Sequence, residues 1–439
     1  MFISHKRAVA EKQRTIRPGI MRLGMTSLAL GMRFCTYAVI ARTVGTQNFG
    51  ILLFVQWVAA LLLPFVGTGM TPLTNRRVTE VLHEETRHSI AGLFRLLWRQ
   101  QCLRTLLYCL AYLPATFALS LLMKDAIPFS LFLLAGFSTL PLLFGSVVSV
   151  TLQGVARYNL LAGLRFLSTL LNLCFTLLLL QAKDVPPGML LLPAAFASII
   201  TLTIALVYVM KLLPLRNGVT PGPLLRERIE QGQRPAPLLF LLDVVAWREL
   251  LLMLLLFLHW HTLPALGFYL FSMLLCSRLV EVVPTLFITC ILPVIAKVFP
   301  IRRYTDAYDA FVRTSCSVAL VAVTLRLLVS AYSPLLLTAA LGTAYLPMLV
   351  PLRILLIAVV FGSISTVSLT ALAQQKQKHT QVWLGLGVAA VHIALAVPCI
   401  LLWGVIGAAL AGTIAYIASA VGTIVLCRKE LLNLYIGKV

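Results

Sequence analysis

From residue 21 onward, long apolar runs alternate with short polar connections. Twelve runs can be drawn, at roughly 21–41, 50–72, 102–122, 129–151, 160–181, 189–210, 238–258, 266–296, 311–332, 351–373, 382–402 and 405–427. Most hold 20–23 residues, enough for an α-helix to cross a hydrocarbon layer about 30 Å thick. The eighth is longer and predicts a helix that tilts or breaks near Pro284. The pattern predicts an all-α polytopic membrane protein of about twelve transmembrane helices. The Pro/Gly-rich, charged stretch 211–237 divides the runs into two sets of six. The predicted organisation is a basic segment over 1–20, a six-helix lobe over 21–210, a linker over 211–237, a second six-helix lobe over 238–427 and a tail over 428–439.

Several connections carry their own pattern. The apolar stretch 331–350 is expected along the outer surface or capping the bundle. In the 73–101 loop, SIAGLFRLLWRQ places Arg95 and Arg99 four apart with Leu and Trp on other faces, which predicts an interfacial helix on the inner leaflet. The two lobes show faint similarity. VGTQNFGILLF (Val44–Phe54) follows the first run and LPALGFYLF (Leu263–Phe271) follows the seventh. Both read as outer turns whose Gly opens the next helix. Six spans per lobe set both lobes the same way up, as parallel repeats.

Composition agrees. Of 439 residues, 60 % are hydrophobic and 11 % charged, which excludes an ordinary soluble domain and a disordered chain. Lys and Arg number 36 against 14 Asp and Glu, a net charge of +22. These cations are scattered between apolar runs and not gathered on one solvated face, so nucleic acid is not the expected partner. Counted by connection, 27 lie on one side, three on the other (Arg42, Lys124, Lys183) and six inside spans. The positive-inside rule then puts both termini in the cytoplasm of a cell (inner) membrane protein. The basic stretch from Lys6 to Arg22 resembles a signal peptide, but Arg33 interrupts the run behind it, so it reads as a retained first span.

The nine cysteines form no C-x-x-C pair or Cys/His cluster and read as small buried hydrophobes. His392 reads as packing in the eleventh run. No Walker A, G-x-S-x-G or H-E-x-x-H sequence is present, so no enzyme, metal site or cofactor is expected.

The chemistry lies in charges within the runs. An ionisable side chain at mid-bilayer costs about 2.5–3.5 kcal/mol on insertion scales, and by default faces the bundle interior or a watery cavity. Arg33 is halfway through the first run, Arg248 and Glu249 midway through the seventh, Arg278 and Glu281 midway through the eighth, and Arg326 in the outer half of the ninth. Asp243, Arg165 and Arg353 lie nearer run ends and can snorkel. Arg278 and Glu281 share a helical face, whereas Arg248 and Glu249 diverge by about 100°. Two readings are open: interhelical ion pairs that lock the bundle, or a cationic chamber for an anionic ligand. Arg suits the second, because its planar fork matches phosphate and stays charged in apolar surroundings. Glu249, Glu281 and Asp243 are candidate proton or sodium sites.

Four stretches, IARTVGTQNFGILLFVQ (Ile40–Gln56), LQGVARYNLLAGLRFLSTLLNL (Leu152–Leu173), LPALGFYLFSMLLCSRLVEVVP (Leu263–Pro284) and WGVIGAALAGTIAYIAS (Trp403–Ser419), resemble in order the polysaccharide-repeat-unit flippases of the multidrug/oligosaccharidyl-lipid/polysaccharide exporter superfamily. The resemblance implies two six-helix lobes around a central cavity, alternating access, and spans one, two, seven and eight as its lining. It implies a polyprenyl-pyrophosphate-linked oligosaccharide as cargo, with the pyrophosphate at Arg33, Arg248, Arg278 and Arg326. Polymerising or export machinery would then meet the protein at the membrane face. A multidrug exporter of the same superfamily is the nearest alternative. It would carry cations in an acidic cavity, whereas four mid-span arginines here face two glutamates.

Overall fold

The computed structural model describes the backbone of residues 2–66, 87–123, 127–155, 157–182, 185–213, 263–290, 304–374 and 378–436. Side chains of 1–23, 64–65, 67–89, 214–262, 281–310, 370–382 and 430–439 are outside that description. The described chain is almost entirely helical. It forms two units, Ile20–Phe240, and Leu241–Val439 together with Met1–Gly19. Nine stretches among the described residues are long and apolar enough to cross a membrane. Two of them, Gly24–Leu61 and Trp383–Lys429, bend within and cover two predicted spans each. Eleven of the twelve predicted spans are thereby present, and 238–258 lies outside the described residues.

In the first unit, α1 (Phe2–Leu61) is interrupted at Gly45, whose φ of 75° only glycine adopts easily. A straight helix would separate Tyr37 and Phe49 by about 18 Å along its axis. Their rings instead meet edge to face, 6.5 Å apart, because the chain turns between them. The turn therefore rests on Gly45, while Gly50, which the sequence suggested as the opening of the next helix, lies buried within the second arm. A turn at Leu62 and a short helix, α2 (Leu63–Val66), follow.

Helices α3 (Arg87–Leu122) and α4 (Phe129–Gly154) run antiparallel, fixed by Trp98 on Phe144, Tyr108 on Thr139 and Phe117 on Phe129. The segment expected on the inner leaflet is the start of α3. Its Ile90, Leu93, Phe94 and Leu97 are buried against Val147, Leu152, Leu164 and Val209. The amphipathic pattern was read correctly, but its apolar face packs on the lobe core and not on lipid. Helices α5 (Tyr158–Leu180) and α6 (Leu192–Leu212, led by a 3₁₀ turn over Pro187–Leu191) complete the unit.

In the second unit, α7 (Leu263–Cys290) passes position 284 without a break, so of the two expectations there the break is not met. Helix α8 (Tyr304–Ala340) continues past residue 332 through Pro334, and a 3₁₀ turn (Thr343–Met348) leads into α9 (Leu349–Gln374). The stretch 331–350 is thus the end of one helix, a turn and the start of the next, with no surface-lying segment. Helix α10 (Lys378–Ile436) bends at Gly404, where φ is 54°. A Cβ at Gly407 would sit on the Cys399 carbonyl, and one at Gly422 would strike Leu384. Both pairs sum to one register, so the two arms lie antiparallel.

Cys276 and Cys427 are buried as expected, but Cys35, Cys102, Cys174 and Cys316 are exposed, and all eight described thiols are free. His392 is 2 % exposed, which agrees with its reading as packing.

Candidate functional site

Arg33 stands on the first arm of α1, 12 positions before the Gly45 turn. At 1.5 Å per residue that is about 18 Å below the turn, inside a hydrocarbon layer about 30 Å deep. Its side chain is exposed, and Thr26 lies seven positions before it on the same helix face. Among the described residues, Arg33 makes no hydrogen bond or ion pair.

No acidic residue lies on any span of this unit. The seven between residues 20 and 240 are Glu80, Glu84, Glu85, Asp125, Asp184, Glu227 and Glu230, all in connections. An ion-pair lock inside this lobe therefore has no carboxylate to build it at the depth of Arg33. The arginine presents an unneutralised fork in surroundings that screen charge weakly, the setting in which a bidentate anion is held best.

In the second unit, Arg278 is half-buried on α7, with its Nε enclosed. Glu281 follows one turn later on the same helix, but its side chain, and all of Asp243, Arg248 and Glu249, are outside the described residues. Arg326 is on α8. Because that helix extends to Ala340, Arg326 falls at the middle of the apolar stretch Phe311–Ala340 and not in its outer half. It is half-buried, one turn beyond Ala322, which packs on α9. Arg353 on α9 approaches the same seam, its Nη2 3.5 Å from the Ser330 carbonyl oxygen.

A polar seam within the first unit had no counterpart in the sequence reading. Gln101, Arg104, Thr105, Tyr108, Tyr112 and Thr116 recur at three- and four-residue spacing on the face of α3 that meets α1 and α4. Gln101 donates to the Thr105 hydroxyl at 3.4 Å, and Tyr108 and Tyr112 stack at 5.2 Å. The Tyr112 hydroxyl donates to the Phe132 carbonyl at 2.7 Å. The spacing was visible in the sequence, masked by the leucines between. These groups bind one another and position the lobe. Among the described residues, no group of three His, Cys, Asp or Glu could hold a metal.

Residues 17–229 match the family model described as "Polysaccharide biosynthesis protein". No curated protein matches closely enough to serve as a relative. Among solved structures, an inward-facing multidrug resistance MATE family transporter of the MOP superfamily aligns with a TM-score of 0.74 at 12 % identity, over 96 % of this chain and 100 % of its own. The lipid II flippase MurJ, in an inward closed conformation, aligns at 0.62 and 13 % identity, over 95 % and 90 %. A MOP superfamily transporter from Pyrococcus furiosus, described as having a binding pocket of reverse polarity, aligns at 0.63 and 12 % identity, over 96 % and 95 %. The chain therefore has the fold of MOP superfamily transporters, the superfamily its sequence resembles, and is a multi-pass membrane protein.

Proposed function

We propose that the protein is a flippase that moves a polyprenyl-pyrophosphate-linked oligosaccharide from the inner to the outer leaflet of the cell membrane by alternating access. The observation that carries the reading is Arg33, an exposed mid-membrane guanidinium in a lobe whose spans hold no acid. The family match supports a glycan pathway, and the likeness to MurJ supports a flippase fold. In this reading Arg33, Arg248 and Arg278 take the pyrophosphate, the sugars cross with it and the polyprenyl chain stays in lipid. Glu249, Glu281 and Asp243 couple the cycle to a proton or sodium gradient, and polymerase or export machinery takes the product at the outer face.

A multidrug exporter is the second reading, favoured by the MATE alignment. It predicts an acidic chamber for cationic drugs, and the acid-free spans of the first lobe supply none. The deciding test is a strain lacking the protein. Lost surface glycan with lipid-linked repeat units accumulating in the inner leaflet supports the flippase. Normal glycan with new sensitivity to cationic dyes refutes it in favour of the exporter.

A further inference from the structure

The seam between α8 and α9 holds two arginines that no transport step above uses together. Arg326 sits at the centre of the apolar stretch Phe311–Ala340, half-buried on the face of α8 that also carries Ala322 and Ser333, at 0 % and 1 % exposure. Below it the seam is apolar, with Val318, Ala322 and Leu325 packed on Val360, Ile364 and Val367. Among the described residues, Arg326 makes no hydrogen bond or ion pair. Ser330 lies one helical turn further on, and the Arg353 guanidinium reaches its carbonyl oxygen at 3.5 Å, the long limit of a hydrogen bond. That contact leaves most of the donors on Arg353 for another acceptor.

Among the described side chains no carboxylate lies on this seam, and Glu281 of α7 is outside them. The sequence from 311 to 429 contains no Asp or Glu. Asp306 and Asp309, at the start of α8, lie 17 and more positions before Arg326, about 25 Å along the axis. Arg353 reaches the turn of α8 that follows Arg326, and like charges on adjacent turns of one seam are relieved by an anion between them. An uncompensated charge at this depth is costly, whereas a phosphate shared by two planar forks satisfies both. The approach is from lipid, because the neighbours of Arg326 on α8, Leu327 and Leu328, are 61 % and 52 % exposed.

We infer that Arg326, which the resemblance would give to the cargo, instead forms with Arg353 a lipid-phosphate site on the α8–α9 seam, entered sideways from the bilayer and separate from Arg33, Arg248 and Arg278. The occupant is the phosphate of an anionic membrane lipid. The site stands or falls without reference to transport.

The test is lipid retention by the full-length protein. Purified protein is loaded with dioleoylphosphatidylglycerol or dioleoylphosphatidylcholine, washed in detergent, and its bound lipid is counted by native mass spectrometry. Wild type retains phosphatidylglycerol about tenfold better than the R326Q/R353Q variant, while R326K/R353K keeps most of it. R33Q retains lipid like wild type, which separates this site from the cargo reading. Equal retention by wild type and the glutamine pair overturns the site. Displacement of the lipid by millimolar inorganic pyrophosphate from the water phase overturns the lateral entry. A measurement on wild type alone guards against a misfolded variant. Reconstituted in phosphatidylglycerol the protein melts higher than in phosphatidylcholine, by a margin that shrinks as salt rises, and equal melting temperatures count against the inference.

Discussion

The Tyr108 hydroxyl donates to the Ala59 carbonyl oxygen at 3.1 Å, at the point where α1 gives out. The helix stops at Leu61, so carbonyls of its last turn lose their partners further along the chain. In lipid such a group must be satisfied from elsewhere. Tyr108, 1 % exposed and also bonded to Thr139 Oγ1 at 2.9 Å, supplies that bond. Replacing Tyr108 with Phe leaves the buried Ala59 carbonyl without its donor and takes a partner from Thr139 Oγ1. The expected loss is about 1–3 kcal/mol of stability, read as a lower melting temperature in detergent. Adding T139V to Y108F costs less than the sum of the two single changes, because both remove the same bond.

The glycines of α10 give a sharper contrast. G407A drives a methyl group into the Cys399 carbonyl, a backbone atom that cannot step aside, so the hairpin opens and folded yield collapses. G412A, five positions on, meets only Leu355 Cδ2 at 3.7 Å and the Tyr269 hydroxyl at 3.8 Å, ordinary contact distances. It keeps wild-type yield. Fluorescence-detected size exclusion of the two variants distinguishes them, and equal profiles would contradict the hairpin register.

A second matched pair lies on α4 and α5. G136A places its methyl against the Tyr112 ring, which is held by the stack on Tyr108 and by its bond to Phe132. It destabilises by about 1–3 kcal/mol, as overpacking does. G163A meets nothing within 4 Å and gains helix propensity, so it is neutral or stabilising by up to about 1 kcal/mol. Thermal melts of both variants check the sign.

These glycines show how unevenly the sequence spoke. The length of the apolar runs located the spans, because membrane thickness leaves a helix few alternatives. The run WGVIGAALAG was noticed as a resemblance, and only the backbone gives its cause. Gly404 makes the left-handed bend, and Gly407 lets the two arms touch. Arg33 was legible as a charge within a span, since hydropathy alone reveals it. The polar seam of α3 was not, because Tyr, Thr and Gln among leucines change hydropathy little and matter only through the partners they meet. The amphipathic start of α3 was misread for a related reason: an apolar face does not say whether lipid or protein will cover it.

Transport itself carries the next expectation. R33Q folds and inserts like wild type but lowers glycan export at least about tenfold, and R33K restores part of it, because a point charge replaces the fork. Surface glycan and melting temperature are measured on the same cultures. Undiminished export by R33Q refutes the role given to this arginine.

The pH dependence should reside elsewhere. Arginine keeps its proton across any physiological range. R33Q is therefore expected to scale the export rate without moving its pH profile. E249Q, E281Q and D243N, at the proposed coupling positions, are expected to flatten the profile or abolish its response to an imposed ion gradient. Vesicle uptake of a fluorescent lipid-linked oligosaccharide across pH 6 to 8, as about the working range in which a perturbed carboxyl titrates, separates the two classes.

The acid-free spans of the first lobe have a consequence for the resting protein. A positive charge with no fixed counter-ion is never left bare for long in salt solution. In the proposed cycle, Arg33 is attended between cargoes by whatever small anion the medium provides, so each arrival would be an exchange and each departure a refilling. Loading would then compete with chloride or inorganic phosphate in the surrounding fluid. The ionic composition on either side of the membrane becomes part of what sets the pace.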